Sequence, residues 1–113
     1  MERPPTTPVA WLGSSLFDLR RAPADVQDIA GAQLALVEHG EMPRDWKPMP
    51  SVGTGVFEIR IQARTAHRIL LTVKFHEAIY ILHVFEKRSR KTPRKDLEIA
   101  RARLGGLIRS RSR

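Results

Sequence analysis

Residues 56–87, VFEIRIQARTAHRILLTVKFHEAIYILHVFEK, constrain the fold more than any other part of the chain. Phe57, Ile59 and Ile61 alternate with Glu58, Arg60 and Gln62. Ile69, Leu71, Val73 and Phe75 alternate with Arg68, Leu70, Thr72 and Lys74. A period of two belongs to half-buried strands rather than to a helix. Residues 78–85 are apolar almost throughout, as in a central or well-covered strand. The gaps between the three runs are short, which predicts antiparallel neighbours. One face of such a sheet enters the core, and the other carries Arg60 and Arg68.

The flanking segments supply helices to cover that sheet. Val9, Ala10 and Trp11 beside the turn at Gly13 predict a short strand, and residues 15–20 a short helix, with Ser15 and Asp18 at capping-box spacing. Pro23 suits the first turn of a second helix, and Asp25 and Asp28 complement its dipole. Val26, Ile29, Ala30, Gln33, Leu34 and Val37 share one helical face, and Gly40 is placed to end it. His39 reads as a helix-end residue. Residues 41–55 are rich in proline and glycine and predict a connector without a long regular element. Trp46 and Met49 are expected to tuck against the core edge, with Lys47 facing solvent or a groove. Thr92 and Pro93 mark a helix start, with Thr92 as the cap. Leu97, Ala100, Leu104 and Leu107 share its inner face, and Gly105-Gly106 is expected to weaken or end it. One domain spanning 1–113 is expected, with an irregular start over about 1–8 and a basic tail over about 105–113.

Charge narrows the function. The net charge is +8, with nine basic and nine acidic side chains in residues 1–85 but eleven and three in residues 86–113. All the excess therefore lies at the C-terminal end. Such a block either solvates a basic helix or meets an anionic partner, nucleic acid foremost. The absence of cysteine excludes a disulfide framework and a cysteine-based zinc site. No apolar run approaches the roughly 20 residues that a membrane span needs. The first residues lack a basic segment followed by a long apolar one, so no signal peptide is read there and a cytoplasmic location is expected.

Motifs for several chemistries are missing. His67, His76 and His83 lack metal-ligand spacing, so no metal or other cofactor is expected. Gly53-Thr54-Gly55 is not followed by the Gly-Lys-Ser/Thr of a phosphate loop. No G-x-S-x-G elbow is present. The chemistry left is that of cations. Metal-free cleavage of RNA needs a base for the 2′-hydroxyl, a cation for the pentacovalent phosphate and an acid for the 5′-oxygen. Arg60, Arg68, Lys87 and Arg88 are the catalytic candidates. A lysine serves as base only where burial or neighbouring cations lower its pKa. Lys74, Tyr80, His83, Arg90 and Lys91 are candidates for RNA contact. Tyr80 reads either as a core residue or as a stacking platform, His83 as a packed histidine or an acid–base group, and Arg60 as catalytic or as a partner for Glu58 or Glu77.

The succession WLGSSLFDLR, EHGEMPRDWKPM, GTGVFEIRI, HRILLTVKF and YILHVFEKRSRKTPRKDLEIARARL resembles the phage-derived, HigB-like branch of the RelE toxin superfamily. The resemblance implies an α+β, RelE-like fold, with N-terminal helices and a C-terminal helix packed on a small antiparallel sheet. It implies a type II toxin that cuts mRNA on the ribosome without a metal. It further implies neutralisation by a cognate antitoxin carrying a helix-turn-helix domain, and contact with operator DNA through the complex. By the same resemblance, Arg60 stands for the basic residue of the first central strand. Arg68 stands for the arginine against the scissile phosphate, and Lys87-Arg88 for the basic pair that ends the last strand. The chain departs from the pattern at Glu58, where RelE carries a lysine, and at His67, where a tyrosine is common, which leaves the base open. The other function class is a non-catalytic nucleic-acid-binding or degenerate toxin subunit inside a repressor complex.

Overall fold

A computed structural model describes residues 6–112. Its elements run β1 (Val9–Trp11), α1 (Ser15–Arg20), α2 (Ala24–Glu38), β2 (Trp46–Pro48), β3 (Val56–Gln62), β4 (Ala66–Thr72), β5 (Ile79–Glu86) and α3 (Arg94–Arg111). The strands form one sheet in the order β1-β5-β4-β3-β2. The expected antiparallel core of β3, β4 and β5 is present, with β2 added antiparallel at one edge. The sheet as a whole is mixed, because β1 lies parallel to β5 at the other edge. The connection through α1 and α2 carries the chain from β1 at one edge to β2 at the other, and no local pattern in β1 announces its parallel pairing. The architecture is α+β and compatible with a RelE-like fold.

Both faces of the sheet are covered, at least in part. On one face Phe57, Ile59, Ile61, Ile69, Leu71, Ile79, Ile81 and Val84 meet Val26, Ala30, Leu34 and Val37 of α2. On the other, Val56, Leu70, Leu82 and Phe85 meet Ala100, Leu104 and Leu107 of α3. Each fully buried Ile or Leu contributes about 1.5–3 kcal/mol. Strand β4 stops at Thr72, where its hydroxyl accepts the Lys74 N–H, so Val73 lies outside the strand and is exposed.

The helix ends show how local residues set the boundaries. The end of α2 is a Schellman turn, in which Gly40 N–H donates to Val37 O and Glu41 N–H to Leu36 O. Gly40 has φ +82°, a conformation open to glycine. His39 Nδ1 lies 2.8 Å from Ala35 O, as a helix-end residue. The expected capping box at α1 is not formed. Ser14 Oγ donates to Asp18 instead, and the Ser15 hydroxyl turns inward toward Ile81 O. At α3 the cap position is Pro93, because the Thr92 hydroxyl is committed to Glu58.

Helix α3 also runs through Gly105-Gly106 to Arg111 rather than fraying there. Two glycines cost about 2 kcal/mol relative to alanine. Burial of Leu107 alone offsets about that much. Arg111 adds two hydrogen bonds to the Glu77 carboxylate and stacks over Phe75, 4.1 Å from its centroid. The expected irregular N-terminus falls mostly on residues outside the described range, while Thr7 is tied by its N–H to Glu38 O. Among the described residues no helix is long and apolar enough to cross a membrane.

Two outcomes are expected. Leu107→Ala should destabilise the fold by about 2–5 kcal/mol in urea melts, because α3 has no second anchor of that size beyond the glycines. The Arg111 guanidinium holds the Glu77 carboxyl down from 4.5 to about 2. That contribution is complete above pH 4.5 and is lost as pH falls toward 2. Melts of Glu77→Gln should therefore show a shallower loss of stability over that interval than wild type.

Candidate functional site: a buried carboxylate among cations

Strand register decides which side chains meet. Arg60 and Arg68 are direct cross-strand partners, so both project from the α3 face of the sheet together with Glu58. Strict alternation along β5 would send His83, Phe85 and Lys87 to the opposite face with Ile79 and Ile81. A bulge prevents this. Leu70 pairs with His83 and Leu71 with Ile81, which leaves Leu82 as the extra residue. Beyond the bulge Val84 faces α2, while Phe85 faces α3 opposite Arg68. Lys87, whose N–H donates to Ala66 O, then follows on the Arg68 side. Arg103 of α3 donates to the carbonyl of Leu82 at 2.9 Å, so the bulge's freed acceptor is satisfied. That guanidinium passes over Gly13, where φ is +54° and a side chain would collide with it.

Glu58 is the centre of the resulting cluster. Its side chain is fully buried. Arg68 Nε lies 3.3 Å from Glu58 Oε1, Lys47 Nζ lies 4.0 Å from the same oxygen, and Thr92 Oγ1 donates to Oε2 at 3.4 Å. The Arg68–Glu58 contact is ionic without being hydrogen-bonded, since neither buried atom has a partner in hydrogen-bond geometry. Arg68 is itself buried and donates through Nη1 to His67 O. Arg60 pairs with Asp45 at 2.8 Å. Burial lowers the Lys87 pKa most, and Arg68 lowers it further. Glu58 opposes the shift, while Lys47 and Arg60 add to it. Lys47, Arg60, Arg68 and Lys87 thus stand against Glu58 and Asp45, four cations against two carboxylates. An anionic oxygen entering this end of the sheet meets a net positive field.

The other residues singled out from the sequence do not all join this cluster. Arg88 is exposed and turned onto Glu86. Arg90 and Lys91 lie exposed in the loop of residues 87–93, which crosses from Lys87 to Thr92. Lys74 and Tyr80 stand at the far end of the sheet, about four residues or roughly 13 Å along β4 from Arg68. There the Tyr80 hydroxyl donates to Glu77, and its ring meets Phe75 edge-on. His83 is buried, stacked on Phe85, with Nε2 2.7 Å from Asp96. It is a packed histidine that pins the first turn of α3. Among the described residues no group of three or more His, Asp or Glu side chains is arranged to hold a metal ion.

Glu58, Thr92, Asp45 and Asp96 were not among the site candidates read from the sequence, where Thr92 stood as a helix cap and Glu58 as a departure from the family pattern. Glu58 carried a readable signal, since it shares strand parity with Arg60 and sits opposite Leu70. Asp45, Thr92 and Asp96 lie in connectors or a helix start, and only the tertiary fold brings them in. A buried ion pair predicts a sharp asymmetry. Glu58→Ala should destabilise by about 3–5 kcal/mol by leaving Arg68 buried without its counter-ion. Glu58→Leu combined with Arg68→Met should recover most of that loss in the same denaturation assay.

Residues 17–105 match the family model described as Phage derived protein Gp49-like (DUF891). No curated protein matches the chain. The match begins in α1, includes the whole β3–β5 core with Glu58, Arg68 and Lys87, and ends within α3. The chain belongs to the phage-derived Gp49-like family, which is related to toxin–antitoxin toxins of the RelE/HigB type.

Proposed function

We propose that this chain is a type II toxin that cleaves mRNA on the ribosome by metal-independent transfer to the 2′-hydroxyl, and that a cognate antitoxin neutralises it. The observation that carries the reading is the cluster of Lys47, Arg60, Arg68 and Lys87 around buried Glu58. Family membership supports the toxin class and an antitoxin partner. A helix-turn-helix antitoxin, and operator DNA bound through the complex, belong to the same reading.

The chemistry follows from what each group can do. Lys87 has a lowered pKa, so a larger fraction of its side chain is free amine at neutral pH than for an ordinary lysine. It takes the proton of the 2′-hydroxyl. The 2′-oxygen attacks phosphorus, and Arg68 and Arg60 stabilise the charge that grows on the non-bridging oxygens. The P–O5′ bond breaks, and the 5′-oxygen takes a proton from the Lys47 ammonium. A 2′,3′-cyclic phosphate and a 5′-hydroxyl result. Glu58 has no exposed surface and serves to hold Arg68 and Lys47, not to exchange protons with RNA. Arg88, Arg90 and Lys91, exposed in the loop that follows β5, contact the flanking backbone. Lys74, Tyr80 and His83 lie outside this contact.

Induced expression in bacteria tests the reading. Wild type should arrest growth and cut message, mapped by primer extension on ribosome-bound RNA. Lys87→Met should lower cleavage by about 10²–10⁴-fold with an unchanged circular-dichroism melt. The wild-type rate should rise with pH as Lys87 loses its proton, and the variant should lose that dependence. Equal growth of wild type, Lys87→Met and Arg60→Ala, with intact message throughout, would leave the non-catalytic binding role in its place.

A further inference from the structure

A second surface borders the turn before β3, and Trp46 and Pro48, on either side of Lys47 in β2, belong to it. Three hollows of about 450, 250 and 320 Å³ adjoin one another there. The first two share Met42, Phe57 and Val73, the second and third share Phe75, and the first and third share Gly53 and Thr54. They form one continuous apolar band. Met42 is 46% exposed, Trp46 38%, Val73 45% and Ile108 44%. Among the described residues these are four of the five large hydrophobic side chains left exposed. The fifth, Phe17, stands apart under the Arg21 guanidinium. Their concentration around adjoining hollows, rather than a scatter, marks an interaction site.

The charges around the band select its occupant. Lys74 and Arg101 line the third hollow, and Arg109 lies over Gly105 in the same wall. Among the described residues none of the three has a carboxylate within ion-pair distance. Among the described residues, the only carboxylate lining the three hollows is Glu41. An apolar floor with unmatched cations on its rim complements a segment that has an apolar stripe flanked by acidic side chains.

We propose that this band docks an acidic, amphipathic segment of a partner protein. Its assignment to the antitoxin rests on the toxin reading above, whereas the recognition chemistry does not. Glu58, Arg68 and Lys87 line none of the three hollows, although Trp46 and Pro48 beside Lys47 do. Holding the partner and contacting RNA are then separable properties of the chain.

The test is a selection of displayed random peptides of about 15 residues, four helical turns, against the full chain. Synthesised winners are then measured by fluorescence anisotropy. Enriched sequences should repeat apolar residues at helical spacing and carry net negative charge. They should bind at least about tenfold more weakly to Val73→Glu and to Lys74→Glu combined with Arg101→Glu, and equally well to Lys87→Met. Val73 and the two cations are exposed, and circular dichroism verifies that each variant is folded. No enrichment, enrichment without acidic bias, or undiminished binding to Val73→Glu overturns the proposal. So does a dimer, seen by light scattering, that Val73→Glu converts to monomer, because the band then belongs to a second copy. A chain without ribonuclease activity can pass this test and an active ribonuclease can fail it, so the two proposals stand or fall apart.

Discussion

The contact between Glu58 and Arg68 sets the terms for the rest of the molecule. Removing either charge from water is costly, and the cost is recovered only if both stay together and find further partners. Glu58 finds them in Lys47 and Thr92, which come from two different connectors. The pair therefore fixes more than its own strands. It draws the residue 87–93 loop down onto the sheet and orients β2 at the edge. A hydrophobic pair at these positions would pack nearly as stably, so stability alone does not account for a buried carboxylate here. What the carboxylate adds is a fixed geometry for cations that would otherwise repel one another.

Two further constraints complete that geometry. The bulge at Leu82 moves Phe85 and Lys87 to the face that holds Arg68. Without it Lys87 would follow Ile79 and Ile81 toward α2, and its ammonium would not share a field with Arg68. Helix α3 holds the bulge in place through Arg103 on the Leu82 carbonyl, and its first turn is pinned by Asp96 on His83. The glycine at position 13 is needed because the Arg103 guanidinium passes where a side chain would stand. Core packing and site construction are thus carried by the same few contacts at this end of the sheet. The far end is closed by Arg111, Glu77 and Phe75.

Much of this was legible in the chain itself. The period-two runs locate β3, β4 and β5 to within a few residues, and the apolar face of α2 is read correctly down to Val26, Ala30, Leu34 and Val37. These features depend on local spacing, which a sequence displays. The parallel pairing of β1 depends on β5, about 70 residues along the chain, and the three-residue β2 is too short and too proline-flanked to show a period of two. The extension of α3 past two glycines was hidden for a related reason, since Leu107 and Arg111 outweigh a local penalty with tertiary contacts. At the site, residue type singled out Arg60, Arg68, Lys87 and Arg88, and the fold places the first three near one another while Arg88 turns onto Glu86. Lys74 and Tyr80 stand farther along the sheet, and His83 is buried against Asp96. Glu58 looked like an interruption of a cationic face, and in three dimensions it is the group around which that face is built.

The account turns on Lys87 being held in a less basic state by burial and by Arg68. Its titration, followed by NMR of the lysine side-chain amines, measures this directly. Lys87 should titrate below the ordinary lysine value, and should move up toward that value when Arg68 is replaced by leucine together with Glu58→Leu. A Lys87 resonance that titrates at the ordinary lysine value in the wild-type chain would contradict it.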